Sequence, residues 1–172
     1  QRVIATAAVG DAGVPGAFVR VNAPASIAGD YVAGASSMVD ASNNPTAASA
    51  GQTGDVVLAL SGSSTLACAA LTNASAVSGK IALVDRGTCG FGVKYEMARA
   101  AGAIAVIVGN NAAGSPIAMG GTVNGPVDIP AAMITLDAAN ALKARLAASD
   151  TVNAKFPATS QGDILASFSS RG

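Results

Sequence analysis

Three glycines, a cysteine and a lysine lie close together in the stretch DRGTCGFGVK, which runs from Asp85 to Lys94. Glycines before a lysine are typical of loops that wrap a phosphate, but such loops need a fixed spacing. In G-x-x-x-x-G-K-[ST] the lysine follows the last glycine directly, whereas here Val93 intervenes and Tyr95 replaces the hydroxyl residue. The G-x-G-x-x-G fingerprint is also absent, because the glycines have the reverse spacing. We interpret them as turn glycines rather than as a nucleotide site.

The composition argues against an enzyme. There is no histidine among the 172 residues, so a Ser-His-Asp or Cys-His centre cannot form within the chain, and imidazole metal ligands are missing. Glu96 is the only glutamate, and the aspartates are not spaced as a carboxylate pair. A Ser-Lys dyad remains an alternative, although no spacing favours one. We therefore predict no catalytic residue, no metal site and no cofactor. Calcium is compatible with the composition, but no D-x-[DN]-x-[DN]-G loop indicates it.

The charge pattern favours neither nucleic acid nor membrane as a partner. Ten basic and ten acidic residues cancel, and neither sign occurs in a run. The longest apolar run, Ala100 to Gly109, is about half the length that a membrane-spanning helix requires. We expect a monomer without a nucleic-acid or membrane partner.

Two cysteines, Cys68 and Cys89, are separated by twenty residues. This spacing fits neither a C-x-x-C redox motif nor half of a zinc site, which leaves a structural disulfide or two buried thiols. Polar, turn-like residues next to both cysteines favour the disulfide, and a disulfide favours a secreted, extracellular protein. Because the chain starts at Gln1 rather than at Met, we expect a processed product or an excised piece.

The residues from position 54 onward alternate between strand and helix patterns. Strands are predicted over 81–86 and 103–109 with a helix over 91–101 between them, which together form a right-handed βαβ unit. A further strand, IPAAMIT, precedes a helix from about Asp137 to Ala148, and TVNAKFPA supplies one more strand. The residues before about Gln52 are predicted to form strands and turns. The predicted buried stripe of the first helix is Phe91, Tyr95, Ala98 and Ala101.

The run GKIALVDRGTCGFGVKYEMARAAGAIAVIVGNN, followed by IPAAMIT and a helix, resembles the protease-associated (PA) domain family over residues 54–157. The resemblance implies an α+β, swivelling β/β/α fold: a strand-rich sandwich or open barrel with the βαβ unit and two main flanking helices. It implies a domain without catalytic residues that mediates protein interaction or controls substrate access to a host enzyme. Family members often carry a cysteine pair on either side of GKIALVDRG, which matches Cys68 and Cys89.

Both ends of the chain resemble another family. RVIATAAVGD and ILASFSSRG are similar to two strands of subtilisin-like serine proteases, or subtilases, on either side of the usual PA insertion point. We therefore interpret 1–172 as a single PA-type domain, with 1–9 and 164–172 as anchoring strands that lie side by side. The subtilase motif G-T-S-M-A and the catalytic Asp and His motifs are absent, so Ser167, Ser169 and Ser170 are not assigned as nucleophiles.

The leading functional hypothesis is a non-catalytic accessory domain of a secreted subtilisin-like serine endopeptidase. Its partners would be the catalytic domain of the host and a peptide or protein substrate. The alternatives are a purely structural insert that shapes the cleft of the host and a Ser-Lys hydrolase.

The long glycine-rich segment from Asn110 to Val127 is the predicted peptide-binding site. It leaves the end of one parallel strand, and the turn from Arg86 to Phe91 leaves the same end of the neighbouring strand, so the two connections should adjoin. In the alternative interpretation, its apolar residues fold inward and cap the core. The predicted contact residues are Asn110, Asn111, Ile117, Met119, Gly120, Gly121 and Val123.

Overall fold

The computed structural model describes residues 17–43 and 52–156. The predicted terminal strands Val3 to Val9 and Ile164 to Phe168 lie outside these residues. The strands are β1 (Ala17–Ala23), β2 (Gly29–Ala35), β3 (Thr53–Leu58), β4 (Ile81–Asp85), β5 (Ala105–Gly109), β6 (Ala131–Ile134) and β7 (Asn153–Lys155). The helices are α1 (Ala74–Val77), α2 (Phe91–Ala100) and α3 (Leu136–Ala147), and a 3-10 helix spans Ala25–Ile27.

The seven strands form one closed barrel in the order β1-β2-β6-β5-β4-β3-β7. Strands β3, β4, β5 and β6 are mutually parallel, and the remaining pairs are antiparallel. This confirms the predicted α+β fold. The family resemblance implied a sandwich or an open barrel. The sheet closes into a barrel because β1 and β7 pair with each other as well as with β2 and β3.

The predicted βαβ unit is formed by β4, α2 and β5. Its two strands are parallel and in register from Ile81 opposite Ala105 to Asp85 opposite Gly109. All five residues of β5 are buried, as expected of an apolar strand that is covered on both faces. The unit therefore places the ends of β4 and β5, and the turns that follow them, side by side.

Two hydrophobic clusters hold the fold together. One fills the barrel and includes Leu83, Ile107 and Ile134, to which α3 adds Leu142. Helix α3 lies so close to β5 that a methyl group at Gly109 would be 2.5 Å from the Cβ atom of Ala139. The other cluster lies between the outer face of the sheet and α2. Its members include Val84, Val106, Met133, Tyr95 and Ala98.

Helix α2 buries the face that the sequence predicted. Tyr95 and Ala98 are almost inaccessible to solvent, while Phe91 and Ala101 are partly buried against the same cluster. Tyr95 also fixes the chain in front of β6, since its hydroxyl donates to the carbonyl oxygen of Ile129 at 2.8 Å and accepts from the Ile129 amide at 2.9 Å. The outer cluster therefore extends over the segment that connects β5 to β6.

Candidate functional site

A disulfide between Cys68 and Cys89 joins the connection after β3 to the turn after β4, with a Cα–Cα distance of 5.7 Å. The predicted pairing is confirmed. The turn itself needs unusual backbone conformations, with φ of 139° at Gly87 and 66° at Thr88. A glycine at the first of these positions avoids the strain that a side chain would add. The glycines of this stretch thus shape a turn that the disulfide holds in place.

Lys94, which lies on α2, has no solvent-exposed surface. Its ammonium group donates to the carbonyl oxygen of Leu66 at 2.6 Å and to that of Gly87 at 2.9 Å. Burial lowers the pKa of this ammonium group, and the Asp85 carboxylate opposes that shift. The lysine therefore connects the same two backbone segments as the disulfide.

This role of Lys94 was not predicted from the sequence. The signal was its position: Lys94 follows Phe91 by three residues and precedes Tyr95 directly, so it falls on or beside the buried face of the helix. A charged residue at such a position predicts a buried partner.

The turn after β4 adjoins the segment after β5, as predicted. Arg86 donates from Nη1 to the Oδ1 atom of Asn110 at 2.9 Å, and its guanidinium lies 5.9 Å from the centroid of the Phe91 ring. Asn110 is only 4% exposed, and its Oδ1 atom also accepts from the Asn111 amide at 2.9 Å. The backbone amide of Asn110 donates to the Ile134 carbonyl oxygen at 3.0 Å. Arg86 is thus held on one side by a rigid, buried amide.

Arg86 differs from the other arginines of the described ranges. Arg20, Arg99 and Arg145 each form an ion pair with an aspartate, at 2.7, 2.6 and 3.2 Å respectively. Arg86 has no acidic partner within residues 17–43 and 52–156, and its half-buried guanidinium donates to Asn110 alone. Its remaining N–H groups have no acceptor among the described residues.

The aspartate next to this arginine is already occupied. Asp85 accepts from Lys143 Nζ at 2.9 and 3.1 Å and from the hydroxyl of Thr65 at 2.6 Å. Both side chains of the Lys143–Asp85 pair are largely buried. The positive charge of Arg86 is therefore not neutralised by its sequence neighbour.

The part of the predicted peptide-binding segment from Met119 to Val123 runs alongside the residues that follow β2. Met119 donates to the Ala35 carbonyl oxygen at 3.0 Å and accepts from the Ser37 amide at 2.8 Å. Two more backbone bonds join Val39 to this segment: its amide donates to Gly121 at 3.0 Å, and its carbonyl oxygen accepts from Val123 at 2.9 Å. Four backbone hydrogen bonds thus attach the segment to the barrel like an additional short strand.

Met119 and Val123, two of the predicted contact residues, are buried, as in the alternative interpretation in which the segment caps the core. Met119 is 0% and Val123 1% exposed, and both belong to the outer cluster together with Met133. The cause is that the outer face of β6 needs a cover, which these two side chains supply. Ile117 is 41% exposed, and Asn111, Gly120 and Gly121 are exposed as well. The segment therefore caps the core with some residues and offers others to solvent.

Side chains of α2 hold the end of this segment and Asp128, the residue directly after it. Glu96 accepts from the Asn124 amide at 2.8 Å, and Arg99 binds Asp128 through two hydrogen bonds of 2.6 and 2.9 Å. A methyl group at Gly92 would lie 2.7 Å from the Thr122 carbonyl oxygen, so the segment touches the helix backbone. Its placement is thus determined along most of its length.

The described part of the chain contains no cluster of three His, Cys, Asp or Glu side chains that could hold a metal ion. None of its helices is long and apolar enough to span a membrane. No lysine in these ranges donates to a serine hydroxyl, since the strongly bound Lys94 and Lys143 contact backbone carbonyls and Asp85.

A family model described as the PA domain matches residues 52–142, which is more than half of the chain. The chain belongs to the PA domain family. As a PA domain it is an accessory domain of proteases and is not itself catalytic. No curated protein sequence matches it.

Solved structures show the same fold at low sequence identity. An aminopeptidase from Aneurinibacillus sp. strain AM-1 is 22% identical with a TM-score of 0.58, over 82% of this PA domain and 30% of that chain. A zinc aminopeptidase from Bacillus subtilis is 22% identical with a TM-score of 0.54, over 83% and 30%. A psychrophilic subtilisin-like protease from Pseudoalteromonas sp. AS-11 is 19% identical with a TM-score of 0.55, over 81% and 32%. The chain thus spans less than a third of the length of these proteins.

Proposed function

We propose that this PA domain is a non-catalytic recognition domain of a secreted subtilisin-like serine protease, and that it binds a segment of a peptide or protein substrate. Arg86 carries the proposal. It is an arginine without an acidic partner among the described residues, and it is held in position beside the segment after β5. An acceptor of a substrate would complete the hydrogen bonds that the domain leaves open.

The turn after β4 and the segment after β5, which adjoin at Arg86 and Asn110, offer groups that suit an extended polypeptide. The Asn111 side chain reaches to within 3.8 Å of the place that a methyl group at Gly87 would take, so an amide lies beside the glycine turn. Exposed Gly120 and Gly121 permit close approach of another backbone, and Ile117 offers an apolar contact. The predicted contact residues then divide into two groups: Asn111, Ile117, Gly120 and Gly121 face the ligand, while Asn110, Met119 and Val123 support them from below.

The ends of the described barrel support insertion into a host protein. In the pairing of β1 with β7, Arg20 lies opposite Lys155, so the chain before Ala17 and the chain after Phe156 leave neighbouring strands at the same end. Residues 1–9 and 164–172 resemble the anchoring strands of a subtilase, which favours that host class. The disulfide supports secretion, and the domain would act as a monomer with the host catalytic domain as its partner.

A zinc aminopeptidase host is a second candidate, because two of the similar structures come from aminopeptidases. The two hosts differ in inhibitor response: a serine-directed phosphonate would stop a subtilase, and a chelator would stop a zinc enzyme. A purely structural insert is the third candidate. A Ser-Lys hydrolase has no supporting contact among the described lysines.

The proposed recognition can be tested with an array of short overlapping peptides that cover casein. The wild-type chain should bind a subset of peptides, and Arg86→Met should lose that binding. Arg20→Met is the matched control, since it removes an arginine that is exposed and already paired with Asp30. Peptide binding that is equal in wild type and Arg86→Met would refute recognition by this arginine. Absence of binding in all three proteins would favour the structural insert.

A further inference from the structure

The ammonium group of Lys94 has three N–H groups but only two strong hydrogen-bond acceptors among the described residues. Two N–H groups donate to the carbonyl oxygens of Leu66 and Gly87. The third has only the Sγ atom of Cys68 within reach, at 3.9 Å. A disulfide sulfur is a weak acceptor, whereas a thiolate at the same place would accept a charge-assisted hydrogen bond.

The two sulfurs of the disulfide therefore differ in their surroundings. Of the two sulfurs, Lys94 contacts that of Cys68, and no described cation contacts that of Cys89. Both cysteines are partly exposed: Cys89 lies between the exposed residues Thr88 and Gly90, and Cys68 precedes the exposed Ala69. Because Lys94 has no exposed surface, a thiol that arrives from solvent cannot contact it. The lysine can thus stabilise charge on Cys68 but cannot attract the incoming reagent.

Two carbonyl oxygens, those of Leu66 and Gly87, lie 3.8 Å from the Cys68 sulfur and would repel a thiolate. Both already accept from Lys94, which withdraws electron density from them. Burial lowers the pKa of this ammonium group, and the Asp85 carboxylate opposes that shift. Because the ammonium group donates to both carbonyl oxygens and lies 3.9 Å from Cys68 Sγ, it offsets their repulsion of a thiolate at that place.

We propose that the Cys68–Cys89 disulfide is a directional thiol–disulfide exchange site, at which a low-molecular-weight thiol or a protein dithiol attacks Cys89 and Cys68 leaves as the thiolate. Exchange is faster when the departing sulfur is the better stabilised anion. A cationic neighbour lowers the pKa of a cysteine thiol, and within residues 17–43 and 52–156 only Cys68 has one in contact. Cys89 is thus assigned as the site of S-thiolation.

Reduction of the Cys68–Cys89 disulfide by thiols takes two steps. In the first step the thiolate of the reagent bonds to Cys89 Sγ, the Sγ–Sγ bond breaks, and its electron pair goes to Cys68. In the second step another thiolate attacks the reagent sulfur of the mixed disulfide, which releases the oxidised reagent and leaves Cys89 as a thiolate. Two thiols are then oxidised and one disulfide is reduced. The reverse sequence restores the disulfide.

Thiol–disulfide exchange would loosen the turn next to Arg86, and so would affect the proposed recognition site. Gly87 follows Arg86 directly and lies within the turn that the disulfide and Lys94 hold together. Opening of the disulfide leaves this turn joined to the Leu66 segment by Lys94 and, at its start, by the two hydrogen bonds between Thr65 and Asp85. The inference concerns the cysteines themselves, so it stands whether or not Arg86 binds a peptide.

The position of attack can be read from the mixed disulfide. The oxidised 172-residue chain is incubated briefly with glutathione, quenched with acid and alkylating agent, and mapped by mass spectrometry. Glutathione should be found on Cys89 in at least about tenfold excess over Cys68, in keeping with the dependence of exchange on the leaving thiol. Equal amounts on both cysteines, or an excess on Cys68, would overturn the proposal.

Single-cysteine variants provide a measurement that does not depend on altering the lysine. The alkylation rate of Cys68 in Cys89→Ser and of Cys89 in Cys68→Ser is followed against pH. The thiol pKa of Cys68 should be the lower of the two, and Lys94→Arg should retain this difference while Lys94→Met removes it. If Lys94→Met fails to fold, the two single-cysteine variants decide. Equal thiol pKa values, or a lower one at Cys89, would contradict the assignment.

Discussion

Arg86 and the buried Asn110 are joined by a hydrogen bond of 2.9 Å, although 24 positions separate them in the sequence. The contact connects the ends of two neighbouring parallel strands and fixes a guanidinium that has no acidic partner among the described residues. Since Asn110 also accepts from the next backbone amide, it orients both Arg86 and the start of the segment after β5.

Replacement of Asn110 by Ala should therefore destabilise the domain. The substitution removes the acceptor for Arg86 and for the Asn111 amide inside a region with 4% exposure. The expected loss in free energy of unfolding is about 1 to 2 kcal/mol, measured by urea denaturation. Asn22→Ala is the matched control, because Asn22 makes a comparable hydrogen bond to Asn153 at an exposed position. Equal stability of the two variants would show that Asn110 does not hold this site.

Replacement of Gly34 by Ala should detach the segment after β5 from the barrel. A methyl group at position 34 would lie 1.9 Å from the Ile117 carbonyl oxygen, so one of the two backbones must move. We expect a loss of about 2 kcal/mol in free energy of unfolding and faster hydrogen exchange at the amides of Met119 and Val123. In Gly120→Ala the added methyl group meets its nearest atom, Ser37 Oγ, at 3.6 Å, so exchange should stay at wild-type rates. Unchanged exchange in Gly34→Ala would contradict the close contact.

The ion pair between Arg99 and Asp128 should contribute a stability that disappears in acid. The hydrogen bond from Arg99 lowers the pKa of the Asp128 carboxyl below its ordinary value of 3.8. Because the folded state has the lower pKa, the stabilisation is complete above 3.8 and is lost as pH falls through the folded value. Both side chains are partly exposed, so we expect only about 0.5 kcal/mol.

The comparison of wild type with Asp128→Asn by urea denaturation isolates this contribution. The difference in free energy of unfolding should be constant between neutral pH and the ordinary aspartate range, and should shrink in stronger acid. If this difference in free energy of unfolding grew on acidification, the pKa of Asp128 would not be lowered in the folded state.

The 172-residue chain should not hydrolyse peptide bonds. It has no histidine, and none of its described lysines hydrogen-bonds to a serine. Casein incubated with the chain should remain uncleaved, and a serine-directed phosphonate should not label the chain. Cleavage that persists after repeated purification, or stoichiometric labelling, would restore the Ser-Lys hydrolase as an explanation.

Much of the fold follows from patterns within short stretches of sequence. The apolar run of β5 and the stripe through Tyr95 and Ala98 predict a βαβ unit, because burial on both faces of a strand and on one face of a helix leaves a local signature. The Cys68–Cys89 pairing was also predictable, since the chain contains only two cysteines.

The candidate site was less predictable because its contacts are not local. Met119 and Val123 lie in a glycine-rich stretch without periodicity, so nothing nearby in the sequence indicates that Met133 needs a cover. Arg86 looks like an ordinary charged turn residue until Asn110 is placed beside it. Closure of the barrel depends on β1 and β7, which pair over more than 130 positions.

We propose that Arg86 lets this PA domain recognise long substrates of a host protease. The most direct measurement compares kcat/KM of the intact proposed host on a protein substrate and on a short chromogenic peptide, with wild-type, Arg86→Met and Arg20→Met domains. Arg86→Met should lower kcat/KM for the protein substrate about tenfold, equal to about 1.4 kcal/mol and within the range of a hydrogen bond to a charged group. It should leave the short peptide unaffected, and Arg20→Met should change neither. Unchanged hydrolysis of the protein substrate by the Arg86→Met enzyme would contradict the account.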